Sequence, residues 1–137
     1  MRALVNSPNG ATWIAEEDGR MAGFAVVVWG ELTRGAAAYL ETLEVAAEWR
    51  GQGCGGQLLR RAEDSAALTG AARIWLHVDA GNAAAIRLYE ANGYRKQGRE
   101  ENYYARGRAA LIYSKALAAG SADATAEGPL IAGGRKI

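Results

Sequence analysis

The chain has 137 residues, half of them apolar, which is enough for one packed domain of common size. Its formal charge of +1 comes from basic and acidic residues mixed along the chain, without the basic stripe or arm of a nucleic-acid-binding protein. A single cysteine, Cys54, and a single histidine, His77, exclude an internal disulfide and a Cys- or His-rich metal cluster. No apolar run approaches the ~20 residues of a membrane span, and no charged-then-apolar leader opens the chain, so a cytoplasmic protein without membrane contact is expected.

Taken in order, Thr12–Glu16 reads as a strand, and Asp18-Gly19 after it is a strong hairpin signal, because glycine accepts the positive φ of a tight turn. Met21–Trp29, dense in valine and aromatic residues, is the returning strand. Gly30–Gly35 is a loop and Ala36–Val45 a third strand ending in Leu43-Glu44-Val45, so the chain opens as an antiparallel meander. Arg50 to Gly56 is a glycine-rich turn. Gln57–Leu68 follows as a helix with Leu58, Leu59, Ala62 and Ala66 on one side, stopped by Gly70. Arg73–Asp79 is a short apolar strand. Asn82 is placed to cap a second helix, Ala83–Asn92, with Gly93 as its left-handed stop. Asn102–Ala105 and Ala109–Lys115 form a last hairpin turning at Arg106-Gly107. From Gly120 the chain is Ala/Gly/Ser-rich and aperiodic, and residues 120–137 are expected to be a poorly ordered tail. The fold class is α/β (α+β), a mixed and mostly antiparallel sheet flanked by helices, with no internal repeat.

The segment Arg50-Gly51-Gln52-Gly53-Cys54-Gly55-Gly56 joins a strand to a helix and holds four glycines in seven residues. Glycines let backbone N–H groups converge on a ligand, and the helix N-terminus adds partial positive charge, so the segment suits a pyrophosphate. A Walker loop needs Gly-Lys-Ser/Thr, but Gly56 is followed by Gln57-Leu58. Gly51, Gly53 and Gly56 do match G-x-G-x-x-G, and Asp79 stands roughly where a ribose-binding acid is expected. Against a dinucleotide, an antiparallel meander comes first and too little chain follows for a second nucleotide half.

Arg50-Gly51-Gln52-Gly53-Cys54-Gly55 resembles the R/Q-x-x-G-x-G/A signature of GNAT acetyltransferases. Leu43-Glu44-Val45 resembles that family's splayed strand, whose backbone pairs with the pantetheine arm. The segment Leu76 to Tyr94 is similar to its pattern of a short strand, an Asn, then Leu-Tyr and Gly-Phe/Tyr. Asn102-Tyr103-Tyr104 resembles the ribosomal-protein-alanine and protein N-terminal acetyltransferase branch. The resemblance covers about Thr12 to Leu117.

It implies transfer of an acetyl group from acetyl-CoA, without a metal, to a primary amine by direct attack in a ternary complex. A protein N-terminal α-amine is favoured as acceptor, with a small amine as the other option. By resemblance, Leu43, Val45, Arg50, Gly51, Gln52, Gly53, Cys54, Gly55, Gly56 and Asn82 hold the cofactor. Tyr89 takes the role of general acid, and His77 that of general base. An unperturbed imidazole titrates near ~6.5 and an α-amine near ~8, a workable pairing at neutral pH. Glu41 and Glu44 are fallback bases, and Tyr103, Tyr104 and Glu41 are placed at the acceptor. Cys54 reads as a small residue tolerated in the loop.

Family members begin with another strand and two helices that wall the acceptor site, whereas about ten residues precede the first hairpin here. Residues 1–119 are therefore expected to form one domain lacking that strand and those helices, with 1–11 as the remnant of a second helix and its exit. A homodimer covering the first strands is expected. Two function classes remain open: an N-acetyltransferase, and a non-catalytic acyl-CoA-binding module.

Overall fold

The computed structural model describes residues 1–30 and 37–117. Most of the expected loop Gly30–Gly35 and the tail from Gly120 lie outside the described residues. Seven strands form one sheet: β1 (Arg2–Ser7), β2 (Gly10–Glu17), β3 (Arg20–Val28), β4 (Ala37–Val45), β5 (Arg73–Asp79), β6 (Arg95–Ala105) and β7 (Arg108–Ala116). Their order across the sheet is β1-β2-β3-β4-β5-β7-β6. Every neighbouring pair is antiparallel except β4 and β5. Parallel neighbours need a crossover, and helix α1 (Cys54–Leu68) supplies it. Helix α2 (Ala83–Ala91) links β5 to β6.

The expected mixed sheet is present, with one correction at its start. Residues 2–7 are not the remnant of a helix but strand β1, paired with β2 through a two-residue turn at Pro8-Asn9. The Trp29 backbone amide donates to the Asn9 carbonyl and its indole donates to the Pro8 carbonyl, tying that turn to the end of β3. The edge place expected to be empty is therefore filled by Arg2–Ser7, and among the described residues no α-helix precedes α1.

The β2–β3 turn is as expected: Asp18 and Gly19 take φ of +52° and +77°, the mirror-image turn that suits strand twist. Helix α1 begins at Cys54, three residues before the sequence suggests. Glycine is a poor helix former, but Gly53 caps the helix at φ +87° and Gly55 and Gly56 lie in its first turn. The reason is packing. A Cβ on Gly55 would stand 3.0 Å from Leu88 Cδ2, so the packing of Leu88 on α1 favours a hydrogen there. Asn82 caps α2 as expected, its Oδ1 accepting from Ala85 N at 3.1 Å, and Gly93 takes φ +92° beyond the helix end. Strand β6 starts at Arg95 rather than Asn102. Its polar run Arg95–Glu101 lacks alternation because β6 is an edge strand, where charged residues discourage further pairing.

The core lies between the sheet and the two helices. Strand residues alternate between faces, and Ala25, Val27, Leu40, Leu76, Val78 and Tyr113 are buried in one cluster with Leu58, Leu59, Ala62 and Tyr89 of the helices. A polar knot at its edge ties α1 and β7 to the residue that precedes β6. Tyr94 Oη donates to Glu63 Oε2 at 2.8 Å, and Lys115 Nζ to Glu63 Oε1 at 3.0 Å. By the same alternation Phe24, Val26, Val28, Tyr39, Trp75 and His77 lie on the opposite face. Val27 and Trp29 of the same stretch are in the core. No described helix is long and apolar enough to cross a membrane.

Candidate active site

Strands β4 and β5 are paired only at Ala37–Tyr39 against Arg73–Trp75, and then part. The register of β3 on β4 explains the divergence. Val27 opposes Leu40 and Val26 opposes Thr42, which leaves Glu41 as an extra residue in β4. Such a bulge bends its strand and increases the local twist, turning the end of β4 away from β5. A V-shaped opening with its apex at Tyr39 results.

On the helix side, a cleft of about 660 Å³ runs from this opening to the glycine loop. Leu43, Val45, Arg50, Gly51, Gly53, Gly55, Gly56, Asn82, Leu88 and Tyr89 line it. The first helical hydrogen bond of α1 runs from Gln57 N to Gly53 O, so the amides of Cys54, Gly55 and Gly56 have no partner within the helix. They are donors at the positive end of the helix dipole, the arrangement that suits a pyrophosphate. The loop is anchored beneath them, since Arg50 Nε donates to the Val45 carbonyl at 2.9 Å.

Gln52 and Cys54 border a second hollow of about 290 Å³ with Glu16, Glu17 and Trp49. Gln52 Nε2 donates to the Glu48 carbonyl, and burial, with Glu17 nearby, pushes the Cys54 thiol upward. A thiol held protonated is a poor nucleophile, in keeping with a small residue that fills space. Asp79 accepts from Gly81 N at 2.8 Å and from Arg108 Nε at 3.0 Å, and these contacts lower its pKa. It anchors the turn after β5 to β7.

Tyr89 is buried at the edge of the cleft, and burial, with Tyr104 and Glu44 nearby, pushes its pKa up to about 12. Its hydroxyl is therefore fully protonated at neutral pH.

His77, Tyr103 and Tyr104 are not part of the cleft lining but stand together beyond the opening. Tyr39 Oη lies 2.6 Å from His77 Nδ1, and Glu100 Oε1 lies 3.3 Å from His77 Nε2. The Tyr103 ring stacks on the imidazole at 4.3 Å, with 7° between the planes, and Tyr104 meets Tyr103 edge-on. The geometry comes from an irregularity in the last hairpin. Glu100 opposes Ala110 and Ala105 opposes Arg108, so Glu101 to Tyr104 loop out of the ladder. Asn102 takes φ +54° within that bulge, and its Oδ1 accepts from Gly107 N. Arg108 sits over the Tyr104 ring at 5.4 Å. Glu41 is exposed at the β4 bulge, and its charge, after burial and Tyr103, helps to raise the Tyr39 pKa.

Tyr39 and Glu100 escaped the sequence reading. Tyr39 carries a weak signal, as an aromatic residue in a strand of predictable phase. Glu100 carries none, because its position depends on the register of an edge strand.

Residues 1–94 match the acetyltransferase (GNAT) family. The [ribosomal protein bS18]-alanine N-acetyltransferase of Escherichia coli strain K12 is 39% identical over 90 residues, covering 64% of this chain and 57% of that protein. A crystal structure of nourseothricin acetyltransferase superposes with a TM-score of 0.74 at 33% identity, over 80% of this chain and 66% of the other. A putative streptothricin acetyltransferase from Bacillus anthracis, solved in complex with acetyl coenzyme A, gives 0.74 at 25% identity, over 82% of this chain and 65% of the other. The chain thus spans a little over half the length of the E. coli relative, 57%.

Proposed function

This chain belongs to the GNAT acetyltransferase family, and from that premise we propose that it moves the acetyl group of acetyl-CoA to a primary amine. The single observation that carries the proposal is the V-shaped opening between β4 and β5. A glycine-lined cleft containing Tyr89 lies on one side of it, and the Tyr39–His77 pair on the other. An acyl donor and an acceptor thus reach the apex from opposite faces.

The acyl donor supplies an activated thioester. The amides of Cys54, Gly55 and Gly56 would hold its pyrophosphate, and the strand end Leu43–Val45 would pair with its arm. Arg50 keeps that strand end and the loop in register, and Asn82 lines the path. An ammonium group must lose a proton before its nitrogen can attack. His77 takes that proton through the Tyr39 hydroxyl, which already touches Nδ1. The nitrogen lone pair forms the new N–C bond as the C–S bond breaks. The departing sulfur accepts a hydrogen bond and then the proton of Tyr89, and the second proton, shed by the acylated nitrogen, restores the phenol. A phenol near 12 is a weaker acid than a thiol near ~8.5, so the proton moves late, as charge builds on sulfur.

The favoured acceptor is a protein N-terminal α-amine. The likeness to the bS18-alanine enzyme and the Tyr103–Tyr104 wall beside His77 support this choice. The likeness to nourseothricin acetyltransferase supports a small amine as the second choice. A second copy of the chain, docked on the first strands, would complete the acceptor wall.

Acetyl-CoA consumption against a panel of alanine-initiated peptides, small amines and streptothricin-type antibiotics tests the proposal. Thiol release with one acceptor class is expected. No turnover with any amine, while CoA still binds, would leave a non-catalytic acyl-CoA-binding module instead.

A further inference from the structure

We propose that Glu100 is a positioning residue for His77, fixing which ring nitrogen faces the acceptor and setting the pH at which the imidazole is free to take a proton. The inference rests on His77 acting as the base. Its structural basis is independent of the cofactor cleft.

His77 touches a different group with each ring nitrogen. Tyr39 Oη lies 2.6 Å from Nδ1 and Glu100 Oε1 lies 3.3 Å from Nε2. An ionised carboxylate can only accept, so the proton of the neutral ring resides on Nε2. Nδ1 is then bare, and the Tyr39 hydroxyl donates to it. When an amine yields its proton to the Tyr39 oxygen, the hydroxyl proton passes to Nδ1. The product is an imidazolium with both nitrogens protonated, its Nε2–H against the Glu100 carboxylate. One proton leaves the amine and one arrives on the ring, and no phenolate persists. That matters because burial, with Tyr103 next, makes a Tyr39 phenolate costly.

The His77 side chain is 8% exposed, whereas that of Glu100 is 32% exposed. The carboxylate therefore stabilises a charge formed in a buried place while remaining open to water, which can later carry the proton away. Among the groups that face the imidazole are Tyr39 from β4 and Glu100 and Tyr103 from β6. Strand β7 offers it Ile112 in register. Asp79, two residues along β5, is engaged by Arg108, and Glu41 acts on Tyr39. Glu100 thus places a carboxylate directly on the ring.

Because the chain has one histidine, ring-¹⁵N labelling yields a single titration curve. Glu100→Gln should lower its midpoint by about one pH unit, the usual influence of an adjacent opposite charge, and Glu100→Asp should restore part of the shift. The acidic limb of the rate profile should move to lower pH with it, and kcat should fall while KM for acetyl-CoA holds. An unchanged or raised midpoint in a Glu100→Gln variant that still binds acetyl-CoA would overturn the proposal. So would a shifted midpoint with an unshifted rate profile. A wild-type chain that acetylates no amine removes the base role, and with it the inference; the titration arm then reports only an ion pair.

Discussion

A Cβ placed on Gly55 would lie 3.0 Å from Leu88 Cδ2 and 3.7 Å from Val45 Cγ2, so this glycine is where α1, α2 and the end of β4 converge. Gly55→Val should wedge the two helices apart and move the amides that face the cleft. CoA affinity should fall at least tenfold, about 1.4 kcal/mol, in isothermal calorimetry. Adding Leu88→Ala should recover part of the loss, since it removes the atoms that collide.

Gly53 answers to a different constraint. A Cβ there meets nothing within 4 Å, but its φ is +87°. Gly53→Ala should cost about 1–2 kcal/mol of stability from left-handed strain alone, read as a lowered denaturation midpoint. A larger side chain at this position points into ligand space and should also weaken CoA binding. Unchanged affinity would move the phosphate site elsewhere.

Tyr89→Phe removes a hydroxyl from the cleft edge without changing the ring that fills the core. Turnover should fall by roughly 10²-fold, the lower end for one general acid, with CoA affinity within a factor of about two. Equal loss of affinity and rate would make Tyr89 a binding residue only.

The buried tyrosines set the alkaline limit of the fold. Burial is the first cause of the raised pKa of Tyr39, Tyr89 and Tyr94, and Tyr89 reaches about 12. The unfolded chain releases these protons near ~10, while the folded chain still holds them. Their contribution is therefore complete below pH ~10, and it is lost as the pH rises from there through the folded values. Tm should drop steeply between pH 10 and 12. Tyr94→Phe should make that drop shallower, though at neutral pH it forfeits the bond to Glu63, at about 1.5–3 kcal/mol.

Local chemistry made much of this legible in the sequence. Asn82 and Gly93 bracket α2 by capping rules, Asp18-Gly19 turns β2 into β3, and the apolar side of α1 follows from its spacing. Other features depended on what lies across the fold. The helix takes Gly55 into its first turn, where Leu88 of α2 packs against it and a Cβ would be tight. Arg95–Glu101 joins the sheet as an edge, where no alternation is needed, and Arg2–Ser7 does so at the other edge. The contact of Glu100 with His77 depends on the register of β6 on β7, which no local pattern carries.

The opposite face of the sheet bears on assembly. Phe24, Val26 and Val28 are only half-buried there, while their neighbours Ala25 and Val27 are fully enclosed on the helix side. β1 is the outer strand on the same half, its backbone paired on one side by β2. An apolar stripe beside a strand edge favours association, so a dimer is expected through β1 to β3 and away from the glycine loop, which must admit the cofactor. Val26→Lys places a charge in the middle of that stripe without touching the core. Light scattering at micromolar concentration should give a dimer for the wild type and a monomer for the variant, with acetyl-CoA binding retained in both. If the wild type is itself a soluble monomer that binds acetyl-CoA, the sheet face is closed without a second copy, and the acceptor wall must come from within one chain.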